Sequence, residues 1–222
     1  MYWKKDKIGV PEWKSDSLRE ALPAFDPDQD LQMGSEMSAY CRFYGLDLWV
    51  EYPDVRYRPG LIDAGGHQVA LHYYRHPGDA TVRGTVLVLH GYFDHVGLFS
   101  QLIERCLGAG YDVLAYDQPG HGLSSGTPAA IGSFMEYQAV LADVLARVKP
   151  LIEAPLFAVG QSTGGGILID YLLSNRHNRN TSDFCAVVLL APLVRPVGWL
   201  GARVLHSAAR PFVRRWRRAF AE

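Results

Sequence analysis

The chain has 222 residues, 48% of them hydrophobic and 12% aromatic, enough apolar material for one globular domain with a sizeable core and too much for a fibrous or disordered chain. A formal net charge of -1, with signs mixed along most of the length, gives no reason to expect nucleic acid as a partner. Cys41, Cys106 and Cys185 are odd in number, widely spaced and lack a C-x-x-C pair, which argues against a disulfide framework or a zinc site and for a reducing compartment. No apolar run near the N-terminus has signal-peptide length, and no stretch reaches the ~18 apolar residues that a membrane span requires. The sequence therefore reads as soluble and cytoplasmic.

Residues 1–54 are rich in Asp, Pro, Ser and aromatic side chains, with turn signals at Pro23, Asp26-Pro27 and Gly34, and read as an irregular or partly helical lead-in. Gln68-Val-Ala-Leu-His-Tyr-Tyr74 predicts a strand, closed by a turn over residues 76–79. Four short apolar runs follow, at residues 85–89, 112–116, 156–159 and 186–190, and continuous apolar strands of this kind suit a sheet buried on both faces. Between them, residues 133–149 carry the clearest helical period. Ser133 and Glu136 form a capping box, Phe134, Tyr137, Val140, Leu141, Val144, Leu145 and Val148 share one face, and Pro150 ends the helix. Strands alternating with helices imply parallel βαβ units and an α/β fold.

The strongest chemical signal is Gly160-Gln-Ser162-Thr-Gly164, between a predicted strand and a predicted helix over residues 165–173. A sharp turn there lifts a Ser hydroxyl above the sheet while the glycines let strand and helix backbones approach, so Ser162 is the candidate nucleophile. The competing reading, a phosphate-binding helix start, lacks the Gly-Lys-Ser/Thr that a P-loop requires. Acyl transfer also needs oxyanion donors: one is the backbone N–H of Thr163, and the second is expected from the loop His90-Gly-Tyr-Phe-Asp-His-Val-Gly97, from Tyr92 with Phe93 as the alternative. Asp117 and His121, in the loop Asp117-Gln-Pro-Gly-His-Gly-Leu-Ser-Ser-Gly126, are read as structural residues satisfied by neighbouring backbone. No metal or organic cofactor is implied.

Taken in order, His90-Gly91, the Asp117 to Gly126 loop, Gly160-Gln-Ser-Thr-Gly-Gly165 and Leu190-Ala-Pro-Leu-Val194 resemble the monoacylglycerol lipase, lysophospholipase and serine aminopeptidase S33 branch of the α/β-hydrolases. The resemblance covers residues 68 to about 200, and Gln161 and Thr163 stand where many relatives have His and Met. It implies an α/β-hydrolase fold, a mostly parallel central sheet with helices on both faces. With the change of pattern after residue 54, it divides the chain into three segments: a lead-in over 1–54, the hydrolase core over 55–192 and the start of a cap over 193–222. The implied activity is serine hydrolysis of carboxylic esters of lipid-like substrates, monoacylglycerol or lysophospholipid, with amide or peptide hydrolysis, acyl transfer to an alcohol or a non-catalytic fragment as alternatives.

In this fold the acid and the His of the triad follow the Ser along the chain. Asp170 falls within the helix leaving the elbow, Asp183 precedes a strand, and only His177 and His206 remain as bases, neither in a position relatives use. The expectation is a chain that stops inside the cap, with the sheet's last strands and the triad acid and His beyond it, and with impaired activity. The segment from Ala202 to Phe220 sets Phe212, Val213, Trp216 and Phe220 on one face among Arg210, Arg214, Arg215, Arg217 and Arg218. Such a face suits peripheral contact with an anionic membrane; the preferred reading is a cap helix packed on the core with solvated arginines.

Overall fold

The computed structural model describes residues 14–29, 33–78, 80–153, 155–174 and 183–194. Nearly all belong to one compact unit that runs to Pro192; Leu193 and Val194 open a second, Leu193–Glu222. The Arg-rich segment, His177 and His206 lie outside the described residues.

The elements run α1 (Ser15–Glu20), α2 (Ser35–Tyr44), β1 (Arg56–Ala64), β2 (His67–Arg75), β3 (Thr85–Leu89), α3 (Ser100–Gly108), β4 (Asp112–Tyr116), α4 (Phe134–Val148), β5 (Leu156–Gln161), α5 (Thr163–Ser174) and β6 (Ala186–Leu190). The sheet order is β1-β2-β4-β3-β5-β6. β1 and β2 form an antiparallel hairpin, β2 meets β4 antiparallel, and β4, β3, β5 and β6 are parallel. The apolar runs foreseen from sequence are thus the parallel strands, and the expected α/β architecture is present.

Strand side chains alternate between two cores because successive residues face opposite sides of a sheet. From β3, Leu87 and Leu89 enter a core with Val140, Leu141 and Val144 of α4 and Ile167 and Leu168 of α5. Val86 and Val88 enter the other, with Ile103 and Leu107 of α3, Leu18 of α1 and Met37 and Tyr40 of α2. The lead-in helices therefore help close one face of the sheet.

β1 has no counterpart among the predicted strands, since Pro59 and Gly60 interrupt the run before Gln68. Pro59 is tolerated there since β1 forms its ladder with β2 on one side only. Its outer side is covered by residues 23–25, where Leu61 N donates to Pro23 O and Phe25 N to Leu61 O, both at 2.8 Å. A Cβ on Gly60 would stand 2.6 Å from the Phe25 Cα, so this crossing needs a glycine. β6, at the far edge, keeps Val188, Leu189 and Leu190 at 38–51% exposure.

The start of α4 differs in detail from the expected capping box. Ser133 Oγ accepts from Met135 N at 3.3 Å, while Glu136 N donates to the Ser133 carbonyl at 3.1 Å. The Glu136 carboxylate lies 3.9 Å from His67 Nε2, so a single cap replaces the reciprocal pair. Pro150 lies in a 3₁₀ turn, Lys149–Leu151, that ends the helix.

Leu87 is fully buried in β3, one of the two central strands of the sheet. Leu87→Ala should destabilise the protein by about 3 kcal/mol through lost transfer energy plus a residual cavity, read as a shift of the urea unfolding midpoint.

Candidate active site

Ser162 occupies the one-residue turn between β5 and α5 with φ 50, in the left-handed region. Three glycines make the turn fit. A Cβ on Gly160 would stand 2.7 Å from the Gly164 carbonyl carbon, one on Gly164 2.3 Å from the Leu89 carbonyl oxygen, and one on Gly165 2.9 Å from the Pro192 Cβ. Strand and helix backbones are thus close enough that any side chain at these positions would drive them apart. The turn is pinned by Ser162 N donating to Leu190 O at 2.9 Å, Gly166 N to Ser162 O at 3.0 Å and Gly164 N to His90 O at 3.1 Å.

Among the described residues, the non-glycine residues with positive φ are Phe93, Ala129, Ser162 and Ala191. Phe93, Ser162 and Ala191 follow β3, β5 and β6 at the same edge of the sheet, and the Ala129 carbonyl accepts from the Tyr92 hydroxyl. Such residues cost of order 1–3 kcal/mol each and gather where a site is being shaped.

The loop after β3 lies beside the elbow because β3 and β5 are register neighbours, Leu89 opposite Gly160. Tyr92 and Phe93 are exposed, their rings 4.4 Å apart, and Tyr92 also packs on His121 at 5.5 Å. Among the described residues, neither the Tyr92 nor the Thr163 backbone N–H donates to another backbone group outside regular elements. Thr163 is the first residue of α5, where an N–H has no partner within the helix, and it is 2% exposed. The helix N-terminus adds positive potential beside Ser162.

His90 joins three strand ends. Its Nε2 accepts from Gln118 N at 2.9 Å, which leaves Nδ1 as the protonated nitrogen, donating to Gly91 O at 2.7 Å. Its carbonyl accepts from both Gly164 N and the Gln118 side chain. Burial is the main reason its pKa falls below the usual histidine value, and the neutral ring is the form these bonds require.

Asp117 acts as the second fastener. Its oxygens accept from Val96 N and Leu123 N, both at 2.8 Å, so one carboxylate holds the loops after β3 and β4 together. Burial alone would raise its pKa, but contact with His72 and the nearby His90 and His95 outweigh that and hold it below the usual carboxylate range. His72 Nε2 stands 3.7 Å from Asp117 Oδ2, an electrostatic contact outside hydrogen-bond range, while His72 Nδ1 meets the Tyr57 hydroxyl at 2.7 Å. His121 Nδ1 meets Pro119 O at 2.9 Å. Asp117 and His121 thus have the structural partners expected of them.

Asp183 precedes β6 and accepts from Lys149 Nζ and the Tyr171 hydroxyl. Burial pushes its pKa up, and these two partners more than reverse the shift. Asp170 lies in α5, about 12 Å along the helix axis from the elbow at the usual rise per residue. Six of the eight histidines are described, and none hydrogen-bonds Ser162: His67 faces Glu136, His72 Tyr57, His76 Asp112, His90 Gln118, His95 Tyr40 and His121 Pro119. Among the described residues no three His, Cys, Asp or Glu side chains converge as metal ligands, and no helix is long and apolar enough to cross a membrane. Sequence reasoning missed the fastening roles of His90 and Gln118, which depend on contacts between loops 28 residues apart.

Residues 80–221, more than half of the chain, match the family described as serine aminopeptidase, S33. The chain belongs to that family. Mouse monoglyceride lipase is 32% identical over 149 residues, covering 65% of this chain and 45% of the mouse protein. The monoacylglycerol lipase of Mycolicibacterium smegmatis is 33% identical over 119 residues, covering 52% of this chain and 40% of the other. This S33-family chain thus spans less than half the length of these relatives. The naproxen esterase of Bacillus subtilis superposes with a TM-score of 0.51 at 20% identity, covering 73% of this chain and 52% of the esterase, which shows the α/β-hydrolase fold.

Two outcomes follow for this S33-family elbow. Glycine adopts φ 50 without the penalty an L side chain meets, so Ser162→Gly should be more stable than Ser162→Ala by roughly 0.5–1 kcal/mol after allowing for the extra freedom of unfolded glycine, measured as denaturation midpoints. His90 has a folded pKa below its unfolded value near 6.5, so its contribution is full above about that pH and is lost as pH falls below it, where the unfolded chain binds more protons. Melting temperature should therefore decline from about pH 7 toward acid, and the decline should be shallower in His90→Gln.

Proposed function

We propose that this chain carries the nucleophile and oxyanion hole of a serine hydrolase that cleaves carboxylic esters of lipid-like substrates, monoacylglycerols in particular. The observation that carries this reading is Ser162 itself: a non-glycine residue held at φ 50 at the C-terminal end of β5, on glycines that no side chain could replace without displacing backbone. That is the turn a nucleophilic serine needs to stand clear of the sheet.

In the proposed reaction, Ser162 Oγ adds to the ester carbonyl carbon as its proton passes to a base. The N–H groups of Tyr92 and Thr163 stabilise the negative charge that develops on the carbonyl oxygen. Collapse of the tetrahedral species breaks the acyl C–O bond, and the departing alkoxide takes the proton back from the base. Water then adds to the acyl-enzyme by the same route, releasing the fatty acid and restoring the hydroxyl. The base and its acid partner come from outside the described residues, since each described histidine is engaged elsewhere.

Support for the ester class comes from the monoglyceride lipases that the chain is similar to, and from the apolar rims of Tyr92 and Phe93, 40% and 76% exposed beside the elbow. The aminopeptidase in the family description favours amide hydrolysis as the second reading. A fluorophosphonate probe should label one serine, weakly in this chain and strongly in a version extended by the downstream reading frame, which supplies the base. Ser162→Ala should abolish labelling and lower monoacylglycerol hydrolysis by more than about a thousandfold, with the matched peptide amide cleaved more slowly than the ester. Labelling that survives Ser162→Ala would sink the assignment, and faster cleavage of the amide would favour the second reading.

A further inference from the structure

Gly91 lies at the root of the loop that carries Tyr92, and two side-chain oxygens converge on it. The point where a Cβ would stand is 2.2 Å from Gln161 Oε1 and 2.7 Å from Asp94 Oδ2. Gln161 is the last residue of β5, immediately before Ser162, and lies opposite Leu190, whose carbonyl accepts the Ser162 N–H. Asp94 closes the turn that begins at Gly91, its N–H donating to Gly91 O at 3.3 Å. Gln161 Oε1 is shut away from solvent and has no hydrogen-bond partner among the described residues.

Two acceptor oxygens facing the same small space repel each other, and a buried carbonyl oxygen without a donor is unfavourable. A half-turn about the last torsion of Gln161 removes both problems. It exchanges the oxygen for an NH₂ of the same shape, so that a donor faces the carboxylate and the oxygen turns outward. A hydrogen bond to an ionised acceptor is among the stronger ones a side chain makes.

We propose that Gln161 is a positioning residue, whose carboxamide donates to the Asp94 carboxylate and clamps the Tyr92 loop to the strand end that holds Ser162. The clamp passes over Gly91 because only a hydrogen atom leaves room for it. Its relevance to catalysis rests on the oxyanion reading above, but its existence does not, and the two are tested apart.

The test is native-state hydrogen exchange on the full chain, following the Asp94 and Val96 amides, which are hydrogen-bonded to Gly91 O and Asp117 Oδ1. Gln161→Glu keeps the shape but sets carboxylate against carboxylate, and should speed exchange at both amides by about tenfold while leaving α4 unchanged. The exchanged pair, Gln161→Glu with Asp94→Asn, restores one donor and one carboxylate and should return protection to within about threefold of the native chain. Asp94→Ala, on a half-buried loop position, should loosen the loop to a similar degree and serves if Gln161→Glu does not fold. Unchanged exchange in Asp94→Ala, or failure of the exchanged pair to restore protection, overturns the clamp. Fluorophosphonate labelling of the same variants, each extended by the downstream reading frame to supply the base, reports separately on the hydrolase reading, so a restored loop without labelling there would count against that reading and not against the clamp.

Discussion

The contact between the start of α5 and the end of β3 governs this molecule. Gly164 lies against the Leu89 and His90 carbonyls with no room for a methyl group, and its N–H donates to His90 O. That approach sets how sharply the chain turns at Ser162, and so the left-handed conformation there. It also brings the root of the loop after β3 to the elbow, through the bond from Gly164 N to His90 O. Had any side chain stood at Gly160 or Gly164, the helix would move off the sheet and the turn would open.

Around this contact, polar side chains do what the backbone cannot. Strand ends leave carbonyl and N–H groups unpaired, and here the groups that receive them are buried: the His90 ring for Gln118 N, the Asp117 carboxylate for Val96 N and Leu123 N. Burying a charge is costly unless it is bonded, and Asp117 is bonded on both oxygens. The arrangement ties the loops after β3 and β4 and the start of α5 to one another at this edge of the sheet.

Much of this was legible in the sequence, for identifiable reasons. β3 and β4 are continuously apolar because both faces are covered, and the Gly-x-Ser-x-Gly spacing is dictated by contacts within a few residues. β1 was hidden because Arg56 and Arg58 are charged and Pro59 and Gly60 are poor strand formers; pairing with β2 and the crossing by residues 23–25 make a strand of them. The lead-in could be read as no more than partly helical because α1 and α2, of 6 and 10 residues, are too short to establish a period. Leu18, Met37 and Tyr40 nevertheless anchor them in the core. His90, Gln118 and Asp117 could be noticed as polar residues in loops, but which group each one fastens is a tertiary fact.

The two borders of the sheet are unlike one another. At β1, residues 23–25 occupy the outer hydrogen-bonding positions around Leu61. At β6, apolar side chains face outward on a strand whose neighbour β5 lies on one side only. Lengthening of this sheet therefore has a direction: a strand arriving at β1 must first peel away a packed segment, whereas at β6 no described residue stands in the way.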